Sequence, residues 1–182
     1  MKIEIKNRFT GSVIFELDIE NNSIALTLKA AIESNVNLSG AILRWADLHG
    51  ADLSGANLSD ANLYNANLHG ANLHGANLRN AELYGVNLHN ANLRNTDLHN
   101  ANLQNCIGNK RELKTLQVDT YSIAFTESIL QIGCKHFTHK EWENFTDDEI
   151  TKMDSGALRW WKKWKDFVFK VIELSFCEQV QA

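Results

Sequence analysis

No segment of this 182-residue sequence is strongly basic, and none is strongly acidic. Residues 1–35 hold four basic and five acidic side chains, residues 36–105 three and five, and residues 106–182 eleven and twelve, for a formal net charge of −4. A chain that neutralises phosphates needs a concentrated basic surface, so no direct nucleic-acid contact is expected. No run approaches the roughly 18 apolar residues of a membrane helix, so no membrane is expected either. The opening Met-Lys-Ile-Glu-Ile-Lys alternates apolar and charged residues, which reads as a strand and not as a signal peptide. Cysteine is scarce: Cys106, Cys134 and Cys177, without a secretory signal, read as reduced thiols of a cytoplasmic protein. Catalytic signatures are missing too. There is no Gly-x-Ser-x-Gly elbow, no glycine-rich phosphate loop ending in Lys-Ser or Lys-Thr, and no His-Glu-x-x-His. The chain reads as a protein that is not an enzyme and uses no cofactor.

What the sequence does have is a period of five. From Val36 to Asn105 it runs through fourteen units without an insertion, with Leu at the centre of each, from Leu38 in steps of five to Leu103. Two places before the Leu stands Ala in eleven units, the exceptions being Val36, Val86 and Thr96. Just before it stands Asn, Asp or Glu, except at Ile42. Two places after it stands Gly, Asn or Asp, except at Trp45. Successive Leu residues would rotate about 140° around an α-helix and alternate faces along a strand, so neither element buries the set. A backbone that changes direction once per unit does bury it, with corners at the Gly, Asn and Asp positions that tolerate turn conformations.

Tandem Ala-Asn-Leu-x-x resembles the pentapeptide-repeat proteins. That resemblance implies a mainly β fold, a right-handed quadrilateral β-helix (solenoid) with four units per coil and inward-pointing Leu. The expected division is 1–35 as N-terminal strands and a capping helix, 36–108 as the repeat, and 109–182 as a C-terminal capping and dimerisation region. In the first part, Met1–Lys6 and Val13–Leu17 read as strands. Ile24, Leu28 and Ile32 lie one turn apart behind Asn22 or Ser23, which predicts a short helix over Ser23–Glu33. After Asn105 a charged turn leads to two expected strands, Val118–Phe125 and Ser128–Ile132. Capping boxes at Thr138 with Glu141 and at Thr146 with Glu149 predict two short helices. A last helix is expected over about Ser155–Phe176. Its apolar residues Ala157, Trp160, Trp161, Trp164, Phe167, Val168 and Val171 spread over a wide arc, more than one packing surface requires. The expectation is a helix that caps its own chain and pairs two copies into a homodimer.

A 20-residue coil would place Arg44, Tyr64, Tyr84 and Gln104 in one outward ladder and His49, His69 and His89 in the next. With Trp45 beside them, Arg44, Tyr64, Tyr84 and the three His residues are candidates for contact with a protein target of unknown identity. The His ladder could hold a metal, but a spacing near 4.8 Å suits ring stacking better than convergence on one ion. Cys134, His136 and His139 form a second cluster of metal-ligating types, with only three ligands and no standard zinc spacing. No metal site is assigned.

Three readings of function stand. One is a protein-binding module that blocks nucleic-acid machinery, a topoisomerase or a host defence complex, through the repeat surface. Another is a self-associating structural spacer. A minor one is metal or small-molecule binding through His. The chain is distantly similar to pentapeptide-repeat proteins that act on bacterial DNA gyrase, and its strands and Trp-rich tail resemble those of phages and prophages. The repeat carries only three basic and five acidic side chains and displays Arg44, Arg79 and Arg94, which argues against an imitation of duplex DNA.

Overall fold

The computed structural model describes residues 1–109 and 112–177. The charged turn expected after Asn105 therefore falls partly outside the described residues, as does the end of the expected 109–182 region.

The chain opens with an antiparallel pair, β1 (Lys2–Lys6) and β2 (Val13–Asp18), in register Ile3↔Leu17 and Ile5↔Phe15. Alternation sends Ile5 into the core, where it is fully buried. The pair is tied to the first repeat units, since the N–H of Ile42 donates to Lys6 O at 2.8 Å and that of Arg8 to Gly40 O at 2.7 Å. Helix α1 (Ile24–Glu33) starts at Ser23, whose hydroxyl accepts from the N–H of Leu26, and it buries Thr27, Leu28 and Ala31.

Every repeat unit folds alike. The carbonyl of each central Leu accepts from the N–H three residues on, as in Ala66 N to Leu63 O at 2.8 Å. The residue two after every Leu, from Gly40 to Asn105, has positive φ, the reason Gly, Asn and Asp crowd that position. The carboxamide before the Leu accepts from the N–H two residues on, as with Asn62 and Tyr64 at 3.1 Å. Twenty residues later the chain lies alongside itself. Leu43 N donates to Asn62 O at 2.7 Å, Asn62 N to Ala41 O at 2.8 Å, and Asn67 Nδ2 to Asp47 Oδ1 at 3.0 Å. Thirteen of the fourteen Leu are buried in one cluster with the Ala residues; Leu98, beside Thr96, is only partly covered.

The expected mainly β, quadrilateral β-helix (solenoid) needs correction. Among the described residues the sheets are two small open antiparallel ones, β1–β2 and the four-stranded order β3 (Lys114–Val118), β4 (Tyr121–Phe125), β5 (Ile129–Ile132), β6 (Lys135–Thr138), and neither closes nor curls. Among the described residues the repeat contains no strand. Each unit from Ala41 onward lends one residue to isolated parallel bridges, such as Asn62↔Glu82, before the next turn intervenes. A turn every five residues leaves too short an extended run for a strand. Helix outweighs strand as well, because α1, α2 (His139–Asn144), α3 (Asp147–Thr151) and α4 (Ala157–Cys177) hold 10, 6, 5 and 21 residues against strands of 4 to 6.

The central strands β4 and β5 of the four-stranded sheet pack on both faces. In β4, Ala124 joins the repeat cluster while Ile123 and Phe125 join a second cluster with Trp142, Trp160, Trp161, Val168 and Ile172. In β5, Leu130 and Ile132 belong to the second cluster, and Gln131 between them meets the last repeat unit. Its Oε1 accepts from the N–H of Leu103 at 2.8 Å and its Nε2 donates to Gly133 O at 2.8 Å. A buried glutamine thus occupies the acceptor position that a further repeat unit would have filled. Helices α2 and α3 each begin with a complete capping box, Thr138 with Glu141 and Thr146 with Glu149.

Candidate functional site

Twenty-residue register and the outward position after each Leu bring together an aromatic and basic face. Tyr64 and Tyr84 stack with centroids 5.2 Å apart and planes 5° from parallel. The Arg44 guanidinium lies 5.2 Å over the Tyr64 ring, and Trp45 meets the same ring edge-on at 5.6 Å. Tyr84 is fixed through its hydroxyl, which accepts from Asn105 Nδ2 at 2.6 Å. The neighbouring ladder holds His49, His69 and His89, stacked at 4.9 and 5.4 Å. His49 and His69 also share a hydrogen bond between their Nδ1 atoms at 3.1 Å.

The unit Ala41–Trp45 departs from its neighbours at two places. Ile42 replaces the carboxamide, so no side chain there can accept from the N–H of Arg44, and Ile42 is exposed. Trp45 stands at φ 60°, where every other unit has Gly, Asn or Asp, and it is 66% exposed. A bulky residue in left-handed backbone is strained by roughly 1–2 kcal/mol, and an exposed indole recovers little of that by burial. Phe9, exposed as well, extends the apolar surface past the Gly40 corner, with the Arg8 guanidinium 5.2 Å over its ring. Sequence reasoning missed Phe9 and Ile42. The one available signal was Ile42 as the sole apolar residue in its column.

The other candidate residues lie apart from this face. Cys134 is exposed at the β5–β6 turn, with His136 in β6 and His139 opening α2. Among the described residues no group of three or more His, Cys, Asp or Glu could hold a metal ion. On α4, Trp160, Trp161 and Val168 are buried against the chain's own sheet and short helices, with Ala157, Trp164 and Val171 partly so, and Phe167 exposed. Lys165, on the same helix, lies over the Trp161 ring at 5.3 Å and donates to Glu143 O at 2.9 Å. The homodimer expected through this face finds no support here, since most of the face is covered within the chain. The arc is wide because a long helix meets a sheet and two short helices of its own chain.

Comparison with known proteins rests on the repeat. The family described as pentapeptide repeats matches residues 34–70 and 71–107, with 8 copies. This chain belongs to the pentapeptide-repeat family. A pentapeptide repeat protein from the cyanobacterium Cyanothece 51142 is 43% identical over 39% of this chain and 52% of its own length, with a TM-score of 0.30. One from Nostoc PCC 7120 is 37% identical over 48% of this chain and 82% of its own, with a TM-score of 0.23. HetL from Nostoc PCC 7120, described as involved in heterocyst differentiation regulation, is 33% identical over 37% of this chain and 38% of its own, with a TM-score of 0.18. This chain thus spans about half the length of the Cyanothece protein. No curated protein matches it.

Pentapeptide-repeat proteins are generally protein-interaction modules and typically non-catalytic. The expected phage-like and gyrase-directed subtype finds no support, since the match is to the general repeat family. The expected cytoplasmic location reduces to a narrower statement: no described helix is long and apolar enough to cross a membrane.

Proposed function

We propose that the chain is a non-enzymatic protein-binding module whose contact surface is centred on Arg44, Trp45, Tyr64 and Tyr84 and bordered by His49, His69 and His89. The observation that carries this reading is Trp45, a large exposed indole held at positive φ in a column otherwise reserved for Gly, Asn and Asp. Within the chain the edge contact with Tyr64 is a small return for that strain, and a partner surface supplies the burial the indole lacks. Stacked tyrosines beside an arginine add rigid aromatic area of the kind that anchors protein interfaces. A target within nucleic-acid machinery, such as a topoisomerase or a defence complex, is the narrower form of the same reading.

The test is affinity capture with Trp45→Asn plus Tyr64→Ser against a control pair on the opposite side, Ser54→Ala plus His74→Ala. Trp45→Asn should leave stability within about 1 kcal/mol of the parent, because relief of the backbone strain offsets the lost edge contact with Tyr64. Partners lost from the first variant and kept by the control support the reading, and identifying them tests its narrower form. If both variants keep the same partners, the repeat serves as a spacer.

A further inference from the structure

A second site lies far from the repeat face, between the four-stranded sheet and the start of α4. It is a cavity of about 330 Å³ walled by Tyr121, Trp142, Trp160 and Trp161, with Ile150 and Met153. The rings are fixed. Trp142 Nε1 donates to Leu130 O at 2.7 Å and Trp160 Nε1 to Val118 O at 2.9 Å, while Tyr121 meets Trp160 edge-on at 5.2 Å and Trp142 lies 5.2 Å from Trp161. With their N–H groups bonded to the protein, the Trp142 and Trp160 indoles offer carbon surface to an occupant.

Two charged groups border this apolar space. The Asp154 carboxylate accepts from the Tyr121 hydroxyl, from Gly156 N at 3.2 Å and from Ser155 Oγ at 3.3 Å. These hydrogen bonds, that of Tyr121 foremost, hold its carboxyl below the usual carboxylate range, so it is an anion at neutral pH. No cation among the described residues forms an ion pair with it. Lys135 on β6 borders the cavity as well, and no ion pair joins it to Asp154. An anion at the edge of an aromatic box suits an organic cation, which gains from both the carboxylate and the ring faces. The volume, near the lower end of ligand pockets at about 300–1,000 Å³, suits a single-ring molecule.

We propose that this cavity binds a small aromatic primary amine, its ring between the indoles and its ammonium on Asp154. The shared chemistry covers free aromatic amines and free aromatic amino acids, whose carboxylate Lys135 can meet. The inference is independent of the protein-binding face.

Phenethylamine, L-phenylalanine and 3-phenylpropionate titrated into the full chain test it, followed by the indole N–H resonances of Trp142 and Trp160. Saturable shifts with at least one of the two amines, and none with 3-phenylpropionate, are expected. Asp154→Asn removes the charge, keeps one acceptor oxygen, for either Tyr121 or Gly156, and should weaken amine binding about tenfold, the loss of one charge-assisted hydrogen bond. Tighter binding of L-phenylalanine than of phenethylamine assigns the site to amino acids, and the reverse assigns it to simple amines. Absence of a saturable shift with both amines overturns the proposal, as does 3-phenylpropionate binding as well as the amines. Amine affinity unchanged in Asp154→Asn overturns it too. Should Asp154→Asn unfold, Ala157→Met, which fills the cavity while keeping the fold, takes its place; amine shifts that survive it are equally fatal.

Discussion

Two cysteines show how burial sets reactivity at the scale of single residues. Burial pushes the Cys106 thiol up to about 12, because a thiolate inside the repeat core loses its hydration. Cys134 is exposed. Alkylation of the native protein at pH 8 should therefore modify Cys134 within minutes and leave Cys106 intact until the chain is unfolded, as peptide mapping would read directly. The turn column gives a second contrast. A Cβ at Gly50 (φ 63°) meets open space, whereas one at Gly85 (φ 68°) falls 1.9 Å from Asn65 Oδ1. Gly50→Asn should change stability by less than about 0.5 kcal/mol, since Asn accepts left-handed backbone. Gly85→Ala should cost about 1–2 kcal/mol, combining positive φ with displacement of Asn65. Urea melts of the two variants measure both.

Where elements meet, polar groups do the joining. Asp119, in the β3–β4 turn, accepts from Lys163 Nζ at 3.0 Å and Trp164 Nε1 at 2.8 Å on α4. The Lys163 bond, then that of Trp164, holds its carboxyl below the ordinary 3.8. A depressed folded value means the contribution is complete above the unfolded value and is lost as pH falls through the folded one. Urea midpoints of the parent and Asp119→Asn should thus differ at pH 6 and converge as pH drops below about 4. Gln131→Leu tests the other junction: it strands the N–H of Leu103 in a buried site and should cost about 1–3 kcal/mol. These joints also mark the limit of what the sequence displayed. Its five-residue period placed every unit and every positive-φ corner, and the paired Thr and Glu residues placed α2 and α3, because each signal is local. Two strands were expected where four exist. Lys135–Thr138 lacks an apolar alternation, and Gln131 sits inside an apolar run whose second buried face only the folded chain reveals. Calling the repeat a β-helix went wrong for a related reason, since a period shows where the chain turns and not whether extended runs survive between turns. Register alone put Tyr64 over Tyr84, whereas the cavity behind Tyr121 draws on residues from 121 to 161 and leaves no periodic trace.

Across the whole molecule the question is whether its two hydrophobic clusters form one cooperative unit. The four-stranded sheet separates them and belongs to both: Ala124 faces the repeat while Ile123 and Phe125 face the Trp-rich helices. Gln131 bonds the sheet directly to the last repeat unit through the N–H of Leu103. Losing the repeat would therefore strip one face from β4 and β5 and strand the buried glutamine, so the second cluster should not outlast the first. Leu63→Ala, deep in the repeat and fully buried, should lower stability by about 2–5 kcal/mol. Hydrogen exchange then reads the coupling, through protection of the Leu63 region amides and of the Trp142 and Trp160 indole N–H groups, whose acceptors Leu130 and Val118 lie in the sheet. Protection should fall by the same factor at all of these sites, since only global opening exposes them. If the indoles kept their protection while the repeat amides lost theirs, the Trp-rich part would be a separate folding unit, and the aromatic cavity would persist without the repeat.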